Sequence, residues 1–219
     1  MDTLILHRDA SDFNAVAARR AHPQRPRYCE VMTTPASLSR SGRPLPGEFA
    51  AYAAEDIAFV AGDDAATALA AQRDEVLALL SPFGDDAVEG VTYAPGKWSL
   101  KDVVAHLADD ERIFAYRILC IARRDTRPLD GFDEKHYAAA AGASQRRWAA
   151  LLQDYSAVRE TTITLLEGLP PAAWDYLGIV DGYEASVRGL AFHIAGHELR
   201  HLRAIQSLYL PRVNPSATR

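Results

Sequence analysis

The chain has 219 residues, 48% hydrophobic and 24% charged, with a formal net charge of −5, the balance of an ordinary globular domain. No apolar run approaches the ~18 residues that cross a bilayer, and Met1 to Arg8 lacks the basic-then-apolar order of a secretory signal. The acidic balance argues against a dedicated nucleic-acid binder, and two cysteines, Cys29 and Cys120, are too few for a disulfide scaffold, so a reducing cytosol is the expected compartment.

Residues 1–44 differ in composition from the rest. Pro, Ser, Thr, Gly and Arg crowd His22 to Arg27 and Thr33 to Gly47, a pattern that predicts a flexible extension with a short helix over Ala10 to Arg20. Met32, followed by Thr-Thr-Pro, is an alternative start to Met1. From Gly47 onward helices dominate. A short one is expected over Phe49 to Val60, stopped by Gly62. Asp63 or Asp64 can cap the next, whose Leu69, Val76, Leu77, Leu80 and Phe83 follow helical spacing. Ser99 and Asp102 form a capping-box pair that opens a helix running to about Arg124. Another begins near Ser144 and carries Trp148, Leu151, Leu152, Tyr155, Val158, Thr162 and Leu165 on its apolar face. Trp174 to Glu184, with Asp181-Gly182, reads as a loop or short hairpin. The last helix spans Ser186 to about Leu210, where Pro211 stops it. Four long amphipathic helices bury their apolar stripes most economically as a four-helix bundle over 45–211, followed by a tail, 212–219. The expected class is all-α. Arg123-Arg124 and Arg146-Arg147 read as solvated helix faces, and neither Gly-rich phosphate cradle occurs.

Three of the seven histidines, His193, His197 and His201, recur every four residues in the last helix. Each such step turns the helix by about 40°. Neighbouring imidazoles therefore share a face and can reach one ion, while the outer two lie about 80° apart, so one straight helix does not offer all three. A further candidate is His106, whose helix face also carries Asp109, Asp110, Ile113 and Arg117. A bundle builds metal sites by projecting such side chains inward from facing helices, and neutral imidazole is the commonest ligand for divalent transition metals. The bland alternative is a set of solvated or core histidines, as read for His7, His22 and His136 at the surface. His197-Glu-Leu-Arg-His201 also matches the His-Glu-x-x-His signature of zinc proteases. No His, Asp or Glu follows His201, so a third ligand would have to come from upstream. No candidate edge strand for a peptide substrate is evident, which disfavours that reading.

In combination these stretches resemble the DinB-like superfamily of metal-binding four-helix bundles, which includes YfiT-type hydrolases. The resemblance rests on Tyr93-Ala-Pro-Gly-Lys-Trp-Ser-Leu-Lys-Asp-Val-Val-Ala-His106-Leu-Ala-Asp-Asp-Glu-Arg-Ile-Phe-Ala-Tyr-Arg117 and on Ala195-Gly-His197-Glu-Leu-Arg-His201-Leu. Arg43-Pro-Leu-Pro-Gly-Glu-Phe and Gly131-Phe-Asp extend it from about Leu45 to Leu210. It implies a three-histidine centre made by His106, His197 and His201 and leaves His193 outside. Three neutral ligands would keep the charge of a divalent ion and leave positions open for water or substrate. Zinc or nickel suits such a centre best, and iron is an alternative. Glu198 and Asp110 are the acid–base candidates or supports behind the ligands, the alternative being ordinary bundle polar residues with Asp110 paired to Arg117. Leu202-Arg203-Ala204 stands where many members carry Arg-Gly-Gln, which points to a different branch. Relatives in the mycothiol-dependent isomerase group imply bacillithiol- or mycothiol-type cosubstrates. The resemblance thus implies transfer of a small thiol to an electrophile, or hydrolysis. A non-catalytic, metal-stabilised stress-related binding module is the alternative. No nucleic-acid or membrane partner is expected, and apolar helix faces leave room for a homodimer.

Overall fold

The computed structural model describes residues 42–213. The expected helix over Ala10 to Arg20, the start at Met32, and the readings of His7, His22 and Cys29 lie outside these residues, as does 214–219.

Seven α-helices and one hairpin make up the described chain. The short α1 (Ala54–Ala58) follows one 3₁₀ turn, so the helix expected over Phe49 to Val60 is shorter than its apolar content suggested. It is followed by α2 (Ala65–Leu80) and the one-turn α3 (Asp85–Val88). Next come α4 (Leu100–Ala122), α5 (Glu134–Ala140) and α6 (Trp148–Glu167). The antiparallel hairpin β1 (Leu177–Val180) and β2 (Tyr183–Ser186) leads into α7 (Val187–Ala204). Around the bundle, α2 and α4 each pack against both α6 and α7, so α2 and α4 sit on a diagonal. None of the described helices is long and apolar enough to cross a membrane.

Side chains set the helix starts. Asp64 accepts the Thr67 N–H at the head of α2. At α4 the Ser99 hydroxyl accepts the Asp102 N–H (3.2 Å), while the Asp102 carboxylate accepts the Ser99 N–H (2.9 Å), the full capping box. α6 differs from expectation. Gly142 adopts a left-handed φ of +61° and Arg146 is extended, so the chain makes one 3₁₀ turn and the helix begins at Trp148 rather than near Ser144. Its cap is borrowed, because Asp85 of α3 accepts the Trp148 N–H. Asp181 (φ +50°) and Gly182 (φ +80°) form the hairpin turn, the left-handed pair that matches strand twist. At its end α7 does not continue straight to Leu210. It widens into a π turn over Ile205–Tyr209 and closes in a 3₁₀ turn at Leu210–Arg212.

The core is divided in two. One apolar cluster gathers Leu69, Phe114, Ile118, Leu166, Trp174 and Ile194; the other gathers Val76, Leu107, Trp148, Leu151, Tyr155 and Ile205. Between them every long helix contributes buried polar groups: Gln72 from α2, His106, Asp110 and Glu111 from α4, Arg159 from α6, and His197 and Glu198 from α7. The bundle therefore carries a polar layer at mid-height. Packing on the other side of α7 demands glycine. A Cβ on Gly196 would lie 2.4 Å from the backbone carbonyl of Asp56 in α1. Gly196→Ala is expected to destabilise the protein by about 1–3 kcal/mol through this overlap, despite alanine's better helix propensity. Urea denaturation checks it, and an unchanged midpoint would mean that α1 is not seated this closely.

Candidate metal centre

The polar layer positions the histidines because α4 and α7 pack face to face there. His106 lies in the middle of α4, and His197 and His201 lie one turn apart on α7. Their Nε2 atoms converge: His106 to His197 is 3.3 Å and His201 to His197 is 3.1 Å, with all three within 4.8 Å of one another. Nitrogens bonded at 2.0–2.1 Å to one tetrahedral ion stand about 3.3 Å apart. The spacing fits a cation. Among the described residues, this is the one cluster of three or more His, Cys, Asp or Glu able to hold a metal ion.

Electrostatics agrees with the geometry. Burial disfavours the imidazolium, pushing His106 down to about 4, His201 to about 3, and His197 well below its ordinary value. All three are therefore neutral at pH 7, the state a ligand needs. Asp110, one turn after His106, places its Oδ2 3.3 Å from His197 Nδ1. A carboxylate at this distance favours the proton on Nδ1 electrostatically, which leaves the Nε2 lone pair free toward the other two rings. Burial raises the Asp110 carboxyl to about 7, with Arg117 opposing. Arg117 does not pair with it directly, contrary to the alternative drawn from the sequence. Its guanidinium donates to the Asp130 carbonyl (2.7 Å) and lies over the Phe114 ring. Trp98 closes the other side of His106, ring centroids 4.8 Å apart.

His193 lies outside the cluster, as the resemblance implied and as its rotation of about 80° from His201 allows. Its ring stacks on Phe114 (4.4 Å, 7°) and meets Tyr52 edge-on (5.8 Å). Glu198 also turns away from the three rings. Arg159 of α6 donates to its Oε2 (2.5 Å), and so does the Tyr155 hydroxyl (2.8 Å). The same guanidinium forms a two-pronged pair with Glu111 (both 2.9 Å) and donates to the Leu69 carbonyl. The His-Glu-x-x-His spacing is thus present while its glutamate braces α7 against α6 and α4. Sequence reading missed Arg159 and Glu111. The signal was there: Arg159 falls one turn after Tyr155 on the apolar face of its helix.

Two cavities flank the centre. The larger, about 590 Å³, is bordered by His201 and walled by Trp98, Tyr93 and Tyr209. The smaller, about 190 Å³, reaches His197 past Asp110, Phe114 and His193. Arg200 borders both and pairs with the buried Asp56 (3.4 Å). His136 is exposed, as are Arg123, Arg124 and Arg147, whereas Arg146 is half-buried and pairs with Asp154.

Buried neutral imidazoles make the metal-free protein acid-sensitive. Above pH 6.5 they are neutral in both folded and unfolded chains and cost nothing. As pH falls toward 4 the unfolded chain takes up protons that folded His106, His193, His197 and His201 refuse, each costing about 1.4 kcal/mol per pH unit. Asp110, Asp56 and Glu198, held above the ordinary carboxylate range by burial, act with the opposite sign over this window. The four imidazoles outweigh them, so urea midpoints of chelated protein should fall between pH 6.5 and 4. A flat profile would contradict their burial as neutral groups.

No curated protein matches the sequence. Among solved structures, the chain is similar to YfiT from Bacillus subtilis, described as a probable metal-dependent hydrolase with an unusual four-helix bundle topology. The two share 16% identity at a TM-score of 0.60, over 76% of this chain and 92% of that one, a likeness of fold. The sequence pattern of the DinB superfamily matches residues 68–205. That span runs from the first turn of α2 to the end of α7 and carries all three converging histidines; the chain belongs to the DinB superfamily.

Proposed function

We propose that His106, His197 and His201 hold a divalent cation, zinc or nickel before iron, and that the protein is a metal-dependent enzyme transferring a low-molecular-weight thiol to an electrophile. The observation that carries this reading is the convergence of three neutral imidazoles beside an open cavity. When bound, a divalent cation supplies Lewis acidity, which favours the deprotonated form of a thiol or water at neutral pH.

The chain's own residues favour the thiol over a hydrolytic water. Hydrolysis profits from a positioned carboxylate that moves a proton. Here Asp110 faces His197 Nδ1, Glu198 serves Arg159 and Tyr155, and Asp109 pairs with Arg112 (3.1 Å). A thiolate needs no further base once formed, and it is the nucleophilic form of sulfur. Trp98 and Val103 form an apolar part of the cavity wall beside His201.

The test is an assay of zinc- and nickel-loaded protein with bacillithiol, mycothiol and glutathione against monobromobimane, with 4-nitrophenyl acetate as the hydrolytic comparison. Thiol-dependent turnover lost in His106→Ala is expected. Faster ester hydrolysis than thiol transfer would assign the site to hydrolysis. No turnover at full metal occupancy would favour a binding module.

A further inference from the structure

The larger cavity has a chemical bias that the metal reading does not use. The whole sequence has three lysines, Lys97, Lys101 and Lys135, in a chain of net charge −5. Two of them, Lys97 and Lys135, line the cavity beside His201, and Arg200 completes a cationic rim. They come from different places: Lys97 precedes α4 in sequence, whereas Lys135 lies in the first turn of α5. Among the described residues neither lysine is in an ion pair, whereas Lys101 is buried and held by Glu89 (2.8 Å). No carboxylate lines this cavity. The smaller one, which shares Arg200, is lined by Asp110, Glu134 and Asp181 together with Arg117. The carboxylates around the centre thus fall on that side, and the charged groups of the larger cavity are cationic alone.

Beneath the cationic rim the walls are aromatic. Tyr93 meets Tyr209 edge-to-face (5.2 Å), the Tyr209 hydroxyl donates to the Trp98 carbonyl (3.0 Å), and the Trp98 ring leans on His106. These contacts fix the rings, so the walls are in place before any ligand enters. A pocket of about 590 Å³ falls within the range for a whole small-molecule ligand, with an apolar lining and a few polar groups to orient it. Two lining ammonium groups outside any ion pair can supply charge-assisted hydrogen bonds to an anion.

We propose that this cavity binds a small organic anion, an apolar or aromatic body carrying a carboxylate or phosphate, with Lys97 and Lys135 holding the anionic group and the aromatic walls the body. This rests on the metal-dependent reading in placing that ligand beside the reacting centre: one reactant of the enzyme is an organic acid anion, oriented with its body toward His201. Arg200, already paired with Asp56, adds positive potential between the two cavities.

The experiment is a ligand-observed NMR titration of the full chain, metal-loaded and chelated, with 3-phenylpropionate, 2-phenylethyl phosphate and neutral 3-phenylpropionamide. The three probes share a body and differ in charge. Both anions are expected to bind about tenfold more tightly than the amide, a gap of one well-placed charged contact. Their order tells carboxylate from phosphate. Lys97→Ala/Lys135→Ala should bring the anions down to the amide. Arg123→Ala/Arg147→Ala, which removes the same charge from exposed sites elsewhere, should not. Equal affinity of anions and amide, or undiminished anion binding by the lysine double variant, overturns the subsite. Metal stoichiometry, measured on the same samples, fails separately if the histidine centre is wrong.

Discussion

Replacing Arg159 by alanine should destabilise the protein by about 3–5 kcal/mol, the largest loss expected from a single substitution outside the metal centre. Its guanidinium is fully buried between Glu111 and Glu198 and also satisfies the Leu69 carbonyl. Removing it leaves two carboxylates side by side in a region without solvent, each deprived of its charge partner. Burial already pushes the Glu198 carboxyl above its ordinary range while Arg159 holds it down. In the variant that restraint is gone, so part of the loss should be recovered as pH falls and a carboxyl takes a proton. Urea denaturation at two pH values measures both effects. A loss of less than 1 kcal/mol, with no gain on acidification, would mean that the polar layer is not closed to water.

His106→Ala should abolish stoichiometric metal binding while leaving the fold in place. The substitution removes one of the three proposed ligands, which come from two helices, so α7 retains only an i, i+4 pair. Two imidazoles bind a divalent ion far more weakly than three on a rigid scaffold, and the other positions would go to water. Asp110→Asn is a graded companion. It keeps the volume but loses the carboxyl at His197 Nδ1, and supports behind a ligand of this kind are worth about 10- to 100-fold in metal affinity. Elemental analysis after dialysis distinguishes them: none retained for His106→Ala, a weakened but measurable site for Asp110→Asn. Full occupancy in His106→Ala would remove α4 from the centre.

Much of this was legible in the sequence because helices announce themselves locally. The Ser99–Asp102 capping box and the Asp181-Gly182 turn each encode their own geometry, and the bundle follows from four apolar stripes. The stop expected at Pro211 did not hold, because α7 ends at Ala204 and Pro211 lies inside the closing 3₁₀ turn. The helix start at Trp148 was not legible, since its cap is Asp85, more than sixty residues away in sequence. The π turn after Ala204 likewise has no local signature. Within the site, helix rotation showed that one straight helix does not offer all three of its histidines; it was the resemblance that singled out His197 and His201 over His193. The partner of Glu198 could not be read that way: whether a glutamate beside two histidines faces an ion or an arginine depends on which helix packs against its side, and here it is α6. Lys97 and Lys135 are too far apart in sequence, and too plain as residues, to suggest a shared cavity.

The central claim is that imidazoles from α4 and α7 meet on one ion. X-ray absorption at the metal edge of zinc- or nickel-loaded protein reads those ligands directly. Three nitrogen donors at about 2.0–2.1 Å with the outer-shell scattering of three imidazole rings is the predicted result, and His106→Ala, measured undialysed in excess metal, should show two rings or fewer. A spectrum with at most one imidazole, or one identical in wild type and His106→Ala, would contradict it.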